Sequence, residues 1–113
     1  MTRVEPADLP EKVQEIIQKI VEGYDPEKII VFGSYARGDW TDSSDLDVLV
    51  VKETEERPFE RIGSVSGACW PRKLAMDIVV KTPEEIEKEL SERELFTREI
   101  MREGVVVHDR ALP

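Results

Sequence analysis

Apolar positions along the chain change their rhythm several times, and each change predicts an element. Over residues 9 to 22 they fall at Val13, Ile16, Ile17, Ile20 and Val21, the spacing of one stripe on a helix. Asp8 is the expected cap, with Glu11 completing a capping box, and Gly23, Asp25 and Pro26 supply the stop. Lys28 to Phe32 (KIIVF) then reads as a short strand buried on both faces. From Asp45 to Val51 (DLDVLVV) the pattern predicts a second strand, with Leu46, Val48 and Val50 on one face and Asp45, Asp47 and Leu49 on the other. A third, Lys73 to Val80, sets Leu74, Met76, Ile78 and Val80 opposite Ala75, Asp77 and Val79, so that Asp77 leaves the main apolar stripe.

The stretch from 52 to 71 begins with the charged run KETEERP and continues as a helix candidate, although Gly63 and Gly67 each cost a helix about 1 kcal/mol relative to alanine. Thr82, Pro83 and Glu85 start a further helical segment, which breaks near Ser91 and runs to Gly104. Val105 to Val107 reads as a final edge strand. No internal repeat or low-complexity linker interrupts this order, and 113 residues with 40% hydrophobic content suffice for one core. A single domain over 1–113 is expected.

Composition narrows the setting. The lone Cys69 cannot close an intramolecular disulfide and reads as a small core side chain. The opening MTRVEPADLP lacks the apolar run of a signal peptide, and no segment approaches the roughly 20 apolar residues of a membrane span, so a cytoplasmic home and no membrane are expected. Twenty-five acidic against sixteen basic residues give a net charge of -9, which argues against a long nucleic-acid substrate, whose phosphates are bound by Lys and Arg.

The chemistry concentrates in Gly33-Ser34-Tyr35-Ala36-Arg37-Gly38 and, ten residues after Ser34, in Asp45-Leu46-Asp47. A strand that ends in Gly-Ser and turns into a short helix offers backbone N–H groups and a hydroxyl to phosphate oxygens. Taken alone, such a pair is more often a plain turn with a serine cap. Asp45 and Asp47, at i and i+2 on a strand, share a face and can flank a pair of hard cations such as Mg²⁺, which takes one or two carboxylates and fills its octahedron with water and substrate phosphate. Acidic pairs are common in so acidic a chain, yet this one heads a hydrophobic strand directly after the turn. Asp77, amid AMDIVV, is expected to need a cation or a hydrogen-bond partner, because an uncompensated buried charge is expensive. Arg37 can neutralise phosphate or pair with Asp39 or Asp42. Tyr35 and Trp40 can shape a site, but aromatics beside a glycine turn more often pack against the domain.

These residues together resemble the nucleotidyltransferase superfamily typified by DNA polymerase beta, whose motif is GSx10DxD followed by a third acidic residue on a later strand. The spacing matches without a gap, GSYARG is similar to the family's GSxARG form, and the resemblance spans most of the chain. It implies an α+β fold, a mixed β-sheet flanked by helices. It implies that Gly33 and Ser34 hold the β and γ phosphates of an NTP, ATP above all. Asp45, Asp47 and Asp77 would then serve as metal ligands and catalytic residues for two Mg²⁺ ions, with Asp77 also activating the acceptor hydroxyl. The length is similar to that of the minimal nucleotidyltransferases, which act as antitoxins by adenylylating a tyrosine of a partner HEPN ribonuclease toxin. Two other readings stand beside this one: nucleotidylation of a small molecule with a separate partner subunit, and a largely non-catalytic toxin-binding module. Arg102 and His108 are spaced like the ribonuclease motif of HEPN proteins, but Gly104 and the Val105–Val107 run deny them a helix, so the match reads as coincidence and His108 as a strand-end polar residue.

Overall fold

The computed structural model describes residues 2–3 and 8–111. Ten elements follow in order: β1 (Thr2–Arg3), α1 (Glu11–Tyr24), β2 (Lys28–Phe32), α2 (Ser34–Arg37), β3 (Leu46–Val51), α3 (Pro58–Ala68), β4 (Met76–Lys81), α4 (Pro83–Ser91), α5 (Leu95–Glu103) and β5 (Val105–Asp109). The strands form one mixed sheet in the order β1-β5-β2-β3-β4. β2 lies antiparallel to β3 and β5, whereas β1 runs parallel to β5 and β4 parallel to β3. The parallel β3–β4 pair cannot be joined by a tight turn, and α3 provides its crossover. The architecture is α+β, as expected.

Strand alternation splits the interior in two. Leu46, Val48 and Val50 face the larger core, which includes Val13, Ile16, Ile17 and Ile20 of α1 and Val65 of α3. Leu49 and Val51 face a smaller core with Ile30, Val106, Ile86 of α4 and Ile100 of α5. β3 is therefore buried on both sides, and truncating Leu49, fully buried, would cost about 2–5 kcal/mol. Among the described residues no helix is long and apolar enough to cross a membrane.

Several expected boundaries shift for identifiable reasons. Asp8 does not cap α1: Pro10 occupies the cap position, its carbonyl accepts from the amides of Val13 and Gln14, and no side-chain cap bond forms. Pro10 is fixed in an extended conformation immediately before the helix, which separates Asp8 from the first turn. The capping box expected at Glu11 is accordingly missing there, while the one at Thr82 and Glu85 forms as predicted. β5 is not an edge strand, because the two-residue β1 pairs along its outer side. The third strand begins at Met76 rather than Lys73, and the glycine-bearing segment after the charged run is indeed helix α3.

Candidate active site

Three strands and one short helix bring the motif together. Asp47, second residue of β3, sits opposite Phe32 at the end of β2 and in register with Asp77 on β4. Asp45 stands one residue ahead of β3, exposed to solvent. It is held there by a knot of hydroxyls: Thr41 N–H donates to Ser44 Oγ at 2.8 Å, and Ser43 N–H to Thr41 Oγ1 at 3.3 Å. The polar run TDSSD thus builds the loop from α2 to β3 from its own side chains.

Gly33 and Asp47 fit each other. Gly33 has φ +72, a conformation that L side chains rarely adopt, and a Cβ there would fall 2.1 Å from Asp47 Oδ2. Only glycine lets the β2–α2 turn close over that carboxylate. The turn's carbonyl accepts from the amides of Ala36 and Arg37, which opens α2 with Ser34 as its first residue and Tyr35 as its second. Tyr35 is buried and stacks on half-exposed Trp40, with ring centroids 5.4 Å apart and planes 12° from parallel, so the packing reading of both aromatics holds.

Electrostatically the place is under tension. Burial, a hydrogen bond with Asp77, and repulsion from Asp77 and Asp45 push Asp47 up to about 6, and only Arg37 pulls it down. A hydrogen bond between two carboxyl groups requires that one of them hold a proton. Arg37 also pairs with Asp39 at 3.3 Å, both side chains more than half exposed, so the structural pairing foreseen for it exists and its charge still reaches Asp47. Asp77 is exposed rather than buried, because β4 forms the edge of the sheet. The burial expected from AMDIVV is thereby corrected.

Like charges held this close fit a divalent cation, whose charge would favour both ionised carboxylates. Among the described residues no group of three or more His, Cys, Asp or Glu side chains is already drawn together as a metal cluster.

Helical character as far as Gly104 was legible in the sequence, but not that α5 reaches the Gly33 turn. A small hollow of about 120 Å³ lies between Gly33 and Arg37 on one side and Phe96, Glu99 and Glu103 of α5 on the other. Phe96 meets Phe32 edge-on, centroids 5.8 Å apart, and remains half exposed beside the turn. The clue was the helical spacing of an aromatic with acidic residues three and seven positions later. A larger hollow of about 430 Å³ lies at the opposite end of β2 and β3, lined by Lys28, Val51 and Asp109 among others, and its Lys28–Asp109 pair leaves no unbalanced charge cluster.

Comparison with known proteins agrees with this arrangement. The model of the family described as nucleotidyltransferase domain matches residues 11–107. A protein of Methanocaldococcus jannaschii named as a candidate protein adenylyltransferase is 35% identical over 85 residues, 73% of this chain and 78% of that one. The crystal structure of a candidate nucleotidyltransferase from Sulfolobus solfataricus superposes with a TM-score of 0.62 at 24% identity, covering 95% of this chain and 86% of that chain. At that identity the likeness speaks for the fold.

Proposed function

The chain belongs to the nucleotidyltransferase domain family, and we propose that it transfers AMP from ATP to a hydroxyl of a partner protein, with release of pyrophosphate. The observation that carries this reading is the Asp47–Asp77 pair, two like charges in strand register beneath a Gly33 turn that leaves no room for a side chain. The protein acceptor rests on the name of the Methanocaldococcus relative.

In the proposed reaction the acceptor oxygen attacks the α-phosphorus, the bond from that phosphorus to the α–β bridging oxygen breaks, and the acceptor's proton passes to an Asp77 carboxylate oxygen. The backbone amides of Gly33 and Ser34, with the Ser34 hydroxyl, hold the β and γ phosphates at the mouth of α2. Arg37, exposed beside Asp47, is free to turn from Asp39 toward phosphate charge. Asp45, Asp47 and Asp77 would hold Mg²⁺. When bound, the ion would polarise the phosphate and ease ionisation of the acceptor hydroxyl. Phe96, half exposed, borders the hollow beside the turn where base or acceptor would lie.

As acceptor we propose a tyrosine of a HEPN-type ribonuclease toxin, so that the chain acts as its antitoxin. A charge of -9 suits docking on a basic, RNA-binding partner. The test is incubation with that partner, Mg²⁺ and ATP labelled at the α-phosphate, followed by mass spectrometry of the partner. Label on a single tyrosine, with loss of ribonuclease activity, is expected. Labelling of an added small-molecule hydroxyl instead would replace the protein acceptor, and inhibition of the toxin without label would reduce the chain to a binding module.

A further inference from the structure

Helix α3 presents a face that the rest of the domain does not use. Arg61, Val65 and Cys69 point inward and are buried, whereas Phe59, Ile62 and Trp70 are 69%, 44% and 71% exposed. At 100° per residue, Phe59, Gly63 and Gly67 of α3 fall on the side away from the buried stripe with Ser66 alongside, and exposed Trp70 follows just beyond the helix end. The result is a track of small residues along α3 with an exposed aromatic near each end. Exposed apolar side chains clustered in this way mark an interaction surface more often than scattered ones do.

The two glycines sharpen the point. A Cβ at Gly63 or Gly67 would meet nothing within 4 Å, so no neighbour in this chain requires either to be glycine. In the isolated domain each is an uncompensated loss of helix stability.

Charge decides what covers the face. The segment leading into α3 and its first turn carry Glu53, Glu55, Glu56 and Glu60 against Lys52 and Arg57, a net negative charge, while Arg72 and Lys73 follow its end and Lys19 of α1 reaches there to donate to the Pro71 carbonyl. One end of the track is acidic and the other basic. A twofold axis near the midpoint of Gly63 and Gly67 would set two α3 helices antiparallel, with Phe59 of each copy against Trp70 of the other and each acidic end over a basic one. Antiparallel macrodipoles would add to the same preference.

We propose that this chain self-associates through α3, as a symmetric dimer in which the Phe59–Trp70 face of one copy packs antiparallel on that of a second. The patch is small and its rim is charged, so the dimer is reversible, with a dissociation constant in the micromolar range, and loosens as salt rises.

Sedimentation velocity of the intact chain from low to high micromolar concentration is the test. Wild type should shift from monomer to dimer, and Phe59→Ser with Trp70→Ser should remain monomeric throughout. Gly63→Ala with Gly67→Ala gives the more discriminating readout. It should weaken dimerisation at least tenfold while raising Tm at dilutions where wild type is monomeric, because a methyl helps the lone helix and obstructs the paired one. A wild type monomeric at every concentration would overturn the proposal, as would a dimer indifferent to either pair of substitutions. So would capture of the face by a different protein with no self-association.

Discussion

The two ends of β3 treat charge in opposite ways. Where the strand begins, Asp47 faces Asp77 across the ladder with Asp45 nearby, and the balance is repulsive. Where it ends, Lys52, Glu56, Arg61 and Glu85 each have an answering group. Lys52 donates to the Tyr24 carbonyl and lies 4.2 Å over the Tyr24 ring. Glu56 accepts from Tyr24 Oη at 3.0 Å and Ser64 Oγ at 2.6 Å, and Arg61, buried, reaches the Glu56 carbonyl at 2.9 Å and Glu85 at 2.6 Å. Burial first, then the hydrogen bond to Glu56, pushes the Tyr24 phenol up to about 12, while the hydrogen bond from Arg61 holds Glu85 below the usual range. The compensated end anchors α3 and α4 to the sheet. The uncompensated end has a cost in the free protein that a cationic ligand would remove, and such local disagreement is what a functional site leaves in a well-packed domain.

If that contrast is real, mutations at the two ends must separate activity from stability. The largest effect is expected from Asp47→Asn or Asp45→Asn, which keep side-chain volume and remove charge. Loss of one catalytic interaction worth about 4 kcal/mol slows transfer roughly a thousandfold. Rates of label transfer, with circular dichroism to confirm folding, check it, and a near-wild-type rate in either variant would remove that residue from the site.

At the other end, Glu85→Ala should leave transfer intact and destabilise the fold. It strands the buried Arg61 guanidinium and opens the Thr82 capping box. Because the Glu85 side chain is 38% exposed, water partly takes its place, and the cost is about 2–3 kcal/mol by chemical denaturation. The sign with pH follows from the lowered pKa. Stability contributed by Glu85 is fully present above the ordinary carboxylate range and is lost as pH falls through the depressed value, so the variant and wild type should converge in acid.

The smallest effect has the opposite sign. Asp47 is raised from 3.8 to about 6, so the folded state binds its proton more tightly than the unfolded chain does. Ionising it costs stability as pH rises between those values, and the full cost is present above about 6. Asp47→Asn should therefore raise Tm by roughly 2–5 °C at pH 8, with the gain vanishing near pH 4. A variant less stable than wild type at pH 8 would show that the carboxylate pair is not under strain.

Much of this was legible in the chain itself. The ten-residue spacing from Ser34 to Asp45 and the alternation of DLDVLVV located the turn and β3, and Thr82 with Glu85 located a helix start that forms as read. Other features escaped because they depend on distant partners. A two-residue strand has no periodicity, so β1 and the interior position of β5 could not be seen. AMDIVV has the composition of a buried strand, and only the sheet order reveals β4 as an edge with Asp77 open to solvent. The approach of α5 to Gly33 is likewise a matter of packing.

Calorimetric titration with ATP, with and without Mg²⁺, on wild type and Asp47→Asn, tests most directly whether the repulsive end of β3 is a cation-dependent triphosphate site. Tight binding is expected only for wild type with Mg²⁺, and weak or no binding in the other three combinations. Equal binding by wild type with and without the metal, or binding unchanged in Asp47→Asn, would contradict it.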